Sequence, residues 1–124
     1  MIINIPLTGW AKSKAKNTSL SMNTYRNWHH QVSNNIKKAV SIYLLRYRFP
    51  KFDKIHINYT LYFKDKRKRD IMNFICVADK FLLDHLVEIK SLVDDNYDYV
   101  RSYTINPVEF GSDNLLKVEI IEID

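Results

Sequence analysis

Six consecutive residues, Lys64-Asp65-Lys66-Arg67-Lys68-Arg69, set five cations against one anion, and Asp70 follows at once. A second acidic feature, the pair Asp94-Asp95, returns later in the chain. Lys and Arg neutralise phosphates and release counterions, which gives affinity without reading sequence. Hard divalent cations need oxygen ligands and sit where carboxylates converge beside phosphate. Cations that hold a phosphate backbone, next to carboxylates that hold a metal, are the parts phosphodiester hydrolysis needs. The metal would generate hydroxide and stabilise the leaving oxygen. Each part alone has a plainer reading: a solvated charged loop, a helix N-cap at Asp70, and a turn at Asp94-Asp95. Only the combination points to chemistry.

The elements that must position these residues follow from periodicity. Residues 2–7 read as a short strand ending at Pro6-Leu7, and residues 8–22 as a polar loop carrying Lys12, Lys14 and Lys16. A long helix is predicted from about Asn23 to Tyr47, with Ser21 or Asn23 as its N-cap. Tyr25, Trp28, Val32, Ile36, Val40 and Tyr43 make its apolar stripe, and Pro50 stops it. Ile55, Ile57, Tyr59, Leu61 and Phe63 alternate with polar residues, which predicts a strand over 54–63 with one buried face. A second helix is predicted to start at Asp70 and to run to about Val87, lined by Ile71, Ile75, Ala78, Leu82 and Leu86. A loop at 92–96 and two strands, about 97–106 and 115–123, complete the chain, with a turn at Pro107–Asn114 between the strands. The expected fold is a single α+β domain over residues 1–124 in the order β-α-β-α-β-β. Its sheet is mixed or antiparallel, with two helices packed on one face.

Composition bounds the partners. The chain has 124 residues, 46% of them hydrophobic and 27% charged, with only two glycines and a formal net charge of +5. Such a balance favours an anionic partner mildly. Two glycines exclude a P-loop or a dinucleotide glycine motif. One cysteine, Cys76, excludes an intramolecular disulfide and a CxxC zinc site, and suits a reducing cytoplasm. No stretch approaches the ~20 apolar residues that span a bilayer. His29, His30, His56 and His85 share no metal-ligand spacing and read as packing or surface residues. Trp10 and Trp28 read as packing residues.

The segments DKRKRDIMN, DKFLLDHL and VDDNYDYV together resemble the RusA family of Holliday-junction resolvases. That pattern is a basic run, Arg-Asp-x-Asp-Asn, Lys-x-x-x-Asp-x-Leu in a helix, and a double Asp at the end of a loop. The order of flanking elements is similar over nearly the whole chain, although the distinctive motifs lie within residues 64–100. The resemblance implies metal ligation by Asp70 and Asp95, with Asp94 beside the latter and Asn73 at the motif's Asn. It implies a catalytic role for Lys80, whose spacing to Asp84 and Leu86 reproduces the helical motif.

Two positions depart from the pattern. Met72 stands where the resemblance expects the second Asp of Asp-x-Asp. The interval from Asn73 to Lys80 is four residues longer, just over one helical turn, which moves Lys80 about 6 Å along the helix; without that insertion the Lys position falls on Cys76. Asp79 is the candidate replacement for the missing carboxylate.

The resemblance implies a phage-type endonuclease that resolves four-way DNA junctions by paired nicks in the cytoplasm of a bacterial host. It would use Mg²⁺, or Mn²⁺ in its place, at Asp70 and Asp95. A two-fold homodimer would match a two-fold junction. Lys12, Lys14, Lys16, Lys64, Lys66, Arg67, Lys68 and Arg69 are the expected DNA contacts. Two alternatives stay open: a RusA-like branched-DNA binder that cuts poorly or not at all, and a phage protein that acts through a protein partner.

Overall fold

A computed structural model describes residues 1–10, 19–26, 28 and 30–123. Lys12, Lys14 and Lys16 lie outside the described residues, as do Asn27 and His29.

Strand β2 (Lys54–Phe63) organises the sheet. Its alternation is strict: Ile55, Ile57, Tyr59, Leu61 and Phe63 are buried, and the residues between them are half-buried. On one side it pairs antiparallel with β5 (Leu115–Ile123), Tyr59 opposite Val118. Strand β1 (Ile2–Pro6) pairs antiparallel with the far side of β5, Ile3 opposite Val118 and Ile5 opposite Leu116. On its other side β2 pairs parallel with β3 (Val100–Ile105) and then with the two-residue β4 (Glu109–Phe110). The sheet is therefore mixed, in the order β1-β5-β2-β3.

The last part of the chain differs from expectation in detail. Residues 97–99 belong to a turn, where the N–H groups of Tyr99 and Val100 donate to Asn96 O at 3.1 and 2.9 Å. The stretch expected as one turn contains β4. Asn106 N donates to Tyr59 O at 2.9 Å and Gly111 N to Phe63 O at 3.0 Å, so the ladder resumes after an interruption. Pro107 lies in the gap and has no N–H to give a ladder.

Helix α3 (Ile71–Glu88) buries Ile75, Ala78, Leu82 and Leu86, as its spacing predicts, and also Val77, Phe81 and Leu83. Lys90 ends it in the left-handed position at φ 61°, where glycine is usual. Lys90 N donates to Val87 O and Ser91 N to Leu86 O, which satisfies carbonyls that the last turn leaves open.

The long first helix is divided into α1 (Met22–Tyr25) and α2 (His30–Leu44). Ser21 caps α1, its Oγ accepting from Thr24 N at 3.3 Å and bonding the Thr24 hydroxyl. Among the described residues, the chain around the junction includes Thr24, Tyr25, Trp28 and His30. Such side chains are weak helix formers, because they lose rotamer freedom or compete for backbone bonds. Beyond Leu44 the chain tightens, with Leu45, Arg46 and Tyr47 donating to carbonyls three residues back.

The helices cover one face of the sheet, and Ile36, Val40 and Leu44 of α2 join the α3 and β2 residues in one core. His85 is buried there, its Nδ1 sharing a 2.7 Å bond with Ser41 Oγ. Trp10 and Trp28 pack partly buried against the same core. No helix among the described residues is long and apolar enough to cross a membrane.

Leu82 is fully buried in this core. Leu82→Ala should cost about 2–5 kcal/mol, read as a lower urea midpoint at an unchanged slope. A cost below about 1 kcal/mol would contradict the packing of α3 on β2.

Candidate nucleic-acid interface

The basic turn folds around its single anion. Asp65 Oδ1 accepts from Arg67 N at 2.9 Å and from Arg69 Nη2 at 2.9 Å. Arg69 Nη1 also donates to Arg67 O at 2.9 Å. The backbone N–H of Arg67, and then the Arg69 guanidinium, hold the Asp65 carboxyl below the usual range. The Arg69 side chain is only 7% exposed, and its guanidinium carbon lies 4.2 Å from the centre of the Phe63 ring. Arg69 thus acts mainly inside the turn, whereas Lys64, Lys66, Arg67 and Lys68 are exposed.

This turn borders a cleft of about 710 Å³, lined by Lys66, Arg67, Lys68, Arg69, Asp70 and Asn73. Phe63, Phe74, Val108 and Phe110 supply apolar walls. Phe63 and Phe74 meet edge to face at 5.3 Å. Four cations and one carboxylate thus line a cleft whose walls are partly aromatic. Asp70 occupies the N-cap position of α3 in extended conformation, with no side-chain cap bond, and it is exposed. The capping role that its position suggested is not the one its side chain takes. Asn73 Oδ1 accepts from Asn23 N at 3.1 Å.

A second locus lies further along α3. Asp79 accepts hydrogen bonds from the hydroxyls of Tyr59 and Tyr103, the latter at 3.0 Å. Burial pushes the Asp79 carboxyl above the usual range; the two hydroxyls work against that rise, and the charge of Asp95 adds to it. The Tyr103 phenol is raised by burial and then by the charge of Asp79, with smaller contributions from Asp95 and Cys76. Asp79, Asp95, Tyr103 and Cys76 thus share one electrostatic neighbourhood. Tyr59 is fully buried, and its phenol is raised well above its ordinary value by desolvation and then by Asp79.

The remaining candidates have partners of their own. Asp94 works within its own turn, accepting from Asp95 N at 2.8 Å and from Asn96 Nδ2 at 3.2 Å. Lys80 Nζ lies 3.8 Å from Asp84, which also pairs with Lys37 of α2 at 3.2 Å. Lys80 is thus paired within α3, and the link to α2 runs from Asp84 to Lys37. Among the described residues, no three of the His, Cys, Asp and Glu side chains converge to hold a metal ion. The charge of Asp95 acts on Asp79, and Mg²⁺ is usually held by one or two carboxylates with water and substrate phosphate. Nine residues separate Asp70 from Asp79, about 13 Å of helical rise.

Sequence spacing alone missed Tyr59, Tyr103 and Phe110. A tyrosine at an inward position of an alternating strand carries one usable signal: its hydroxyl must find a partner inside. Neither a family model nor a curated protein matches the chain.

The raised carboxyl of Asp79 gives a pH prediction. Because the folded state binds this proton more tightly than the unfolded chain, its contribution is fully present below the ordinary value of 3.8 and is lost as pH rises through the higher folded value. Urea unfolding of the native protein and Asp79→Asn at a series of pH values should show the native protein losing stability relative to the variant as pH rises above 3.8. A stability gap that stays constant, or moves the other way, would refute the assignment.

Proposed function

We propose that this chain binds branched DNA through the basic cleft and acts on it as a RusA-like, metal-dependent endonuclease. The observation that carries the reading is the cleft itself, where the outward charges of the basic turn meet Asp70 over an aromatic floor. Phosphate is the anion that such a run of cations suits best.

The residues divide the work. Lys66, Arg67 and Lys68 bind phosphates, and Arg69 keeps the turn in shape. Asp79 and Asp95 would hold Mg²⁺ or Mn²⁺, and the two tyrosine hydroxyls orient Asp79. The metal, when bound, supplies hydroxide near neutral pH and neutralises charge on the phosphate. About 13 Å of helix between the loci corresponds to about four nucleotides of one strand. A phosphate held at the cleft is therefore not the one that reaches the carboxylates. A homodimer acting in the cytoplasm would place two such sites on a two-fold junction.

Two observations favour a second reading, a branched-DNA binder that cuts poorly. Met72 is 52% exposed on the first turn of α3, where the resemblance expects a carboxylate. Asp79 already has both oxygens engaged.

Cleavage of a labelled four-way junction in Mg²⁺, and then in Mn²⁺, separates the readings. Paired nicks near the crossover that vanish in Asp95→Asn and are absent on linear duplex are the expected result. Tight binding without nicks in either metal would sink the nuclease and leave the binder. The phosphate contacts are tested independently by salt. Lys66→Ala with Lys68→Ala should flatten the plot of log affinity against log salt by about 1.8, at about 0.9 per lost phosphate contact. An unchanged slope would remove the basic turn from the interface.

A further inference from the structure

We propose that Phe110, with Lys66 beside it, is a stacking platform for an unpaired DNA base; this deepens the DNA-binding reading and rests on it. Phe110 is 52% exposed although it sits in a paired strand. Its register partner is Phe63, which is only 3% exposed. Directly paired residues point to the same face of a sheet. Both rings therefore face the helix-covered side. Phe74 closes over Phe63, whereas the cover leaves Phe110 half open at the wall of the cleft.

The backbone that carries the ring is tied to β2 on both sides of Phe110. Tyr62 pairs with Glu109 and Phe63 with Phe110 in the ladder. Gly111 N then clamps the chain to Phe63 O at 3.0 Å. A rigid aromatic loses little freedom when a flat partner stacks on it. Lys66 Nζ lies 5.8 Å from the centre of the ring, so an ammonium is in place for the phosphate of a stacked nucleotide. The alternation of an aromatic face and cations is the recognition mode of unpaired strands, which offer a base face and a phosphate together. A base inside a duplex hides its face in the stack, and exposing it costs a few kcal/mol. A single-stranded segment presents its base faces without that cost, and a branch point at least interrupts the stack.

The test compares fluorescence anisotropy of labelled oligo(dT), a fully paired duplex and a four-way junction with the native chain, Phe110→Ala and Phe110→Trp. Phe110→Ala should weaken oligo(dT) binding by at least about fivefold and duplex binding by less than about twofold. Phe110→Trp should keep the oligo(dT) affinity, and its emission should be quenched by oligo(dT) beyond any change in the native protein. Equal losses on strand and duplex, or no loss on either, overturn the platform but leave a phosphate-binding cleft intact. A native chain that binds none of the three DNAs overturns the platform and the DNA reading together.

Discussion

The inward side chains of β2 are at once core residues and anchors for everything outside the core. The alternation fixes which of them point in, and a slip of one residue would bury His56, Asn58 and Thr60 in their place. Tyr59 is held fully inside, so its hydroxyl must be bonded, and the acceptor that meets it is Asp79 on α3. Phe63, at the end of the same strand, receives the guanidinium of Arg69, the ring of Phe74 and the backbone of β4. One face of one strand thus positions the carboxylate locus at its middle and the basic cleft at its exit.

The two loci treat charge differently. In the basic turn, like charges repel, and a single carboxylate gathers the chain by accepting from Arg67 N and from Arg69. Arg69 is suited to this because a planar guanidinium can stack on a ring and donate in its own plane at once. With Arg69 turned inward, the other cations are left facing water. At the second locus the carboxylate is bonded by phenols instead of cations. Neutral donors hold Asp79 in place without cancelling its charge, and Asp95 raises its proton affinity further. A carboxylate kept in that state still has charge to offer a cation, which an Arg-paired one largely lacks.

Much of the scaffold could be read in the sequence, because its signals are local. The alternation of β2, the apolar rows of α3 and the strand at the end of the chain depend on near neighbours, and the structure has them where they were expected. The break before α2 was hidden because Tyr25 and Trp28 keep the helical stripe while the backbone leaves the helix. Strand β4 was hidden because two residues carry no periodicity. The basic cleft was legible as a charge run, but its aromatic wall was not, since Phe110 reaches Phe63 only through sheet register. The fixing of Asp79 depends on side chains twenty and twenty-four residues away, on separate strands. No spacing rule within a helix reaches that far.

The spacing along α3 relates the loci to each other. Asp70, Asn73, Cys76 and Asp79 stand at steps of three, and such residues form a continuous ridge that winds slowly around a helix. Each step falls about 60° short of a full turn, so three steps carry the ridge half-way around. It begins at the basic cleft with Asp70 and Asn73 and ends at the sheet edge with Asp79. Cys76, exposed on the way, already lies in the field of Tyr103. Half a turn of separation counts against Asp70 and Asp79 as ligands of one ion, and it lets a single helix border the basic cleft at its start and carry Asp79 against Tyr59 and Tyr103 further on. Lys80 lies one residue off the ridge and pairs with Asp84 one turn further along the same helix. In this chain the longer interval leaves the lysine paired within its own helix, and the tie between the helices runs from Asp84 to Lys37.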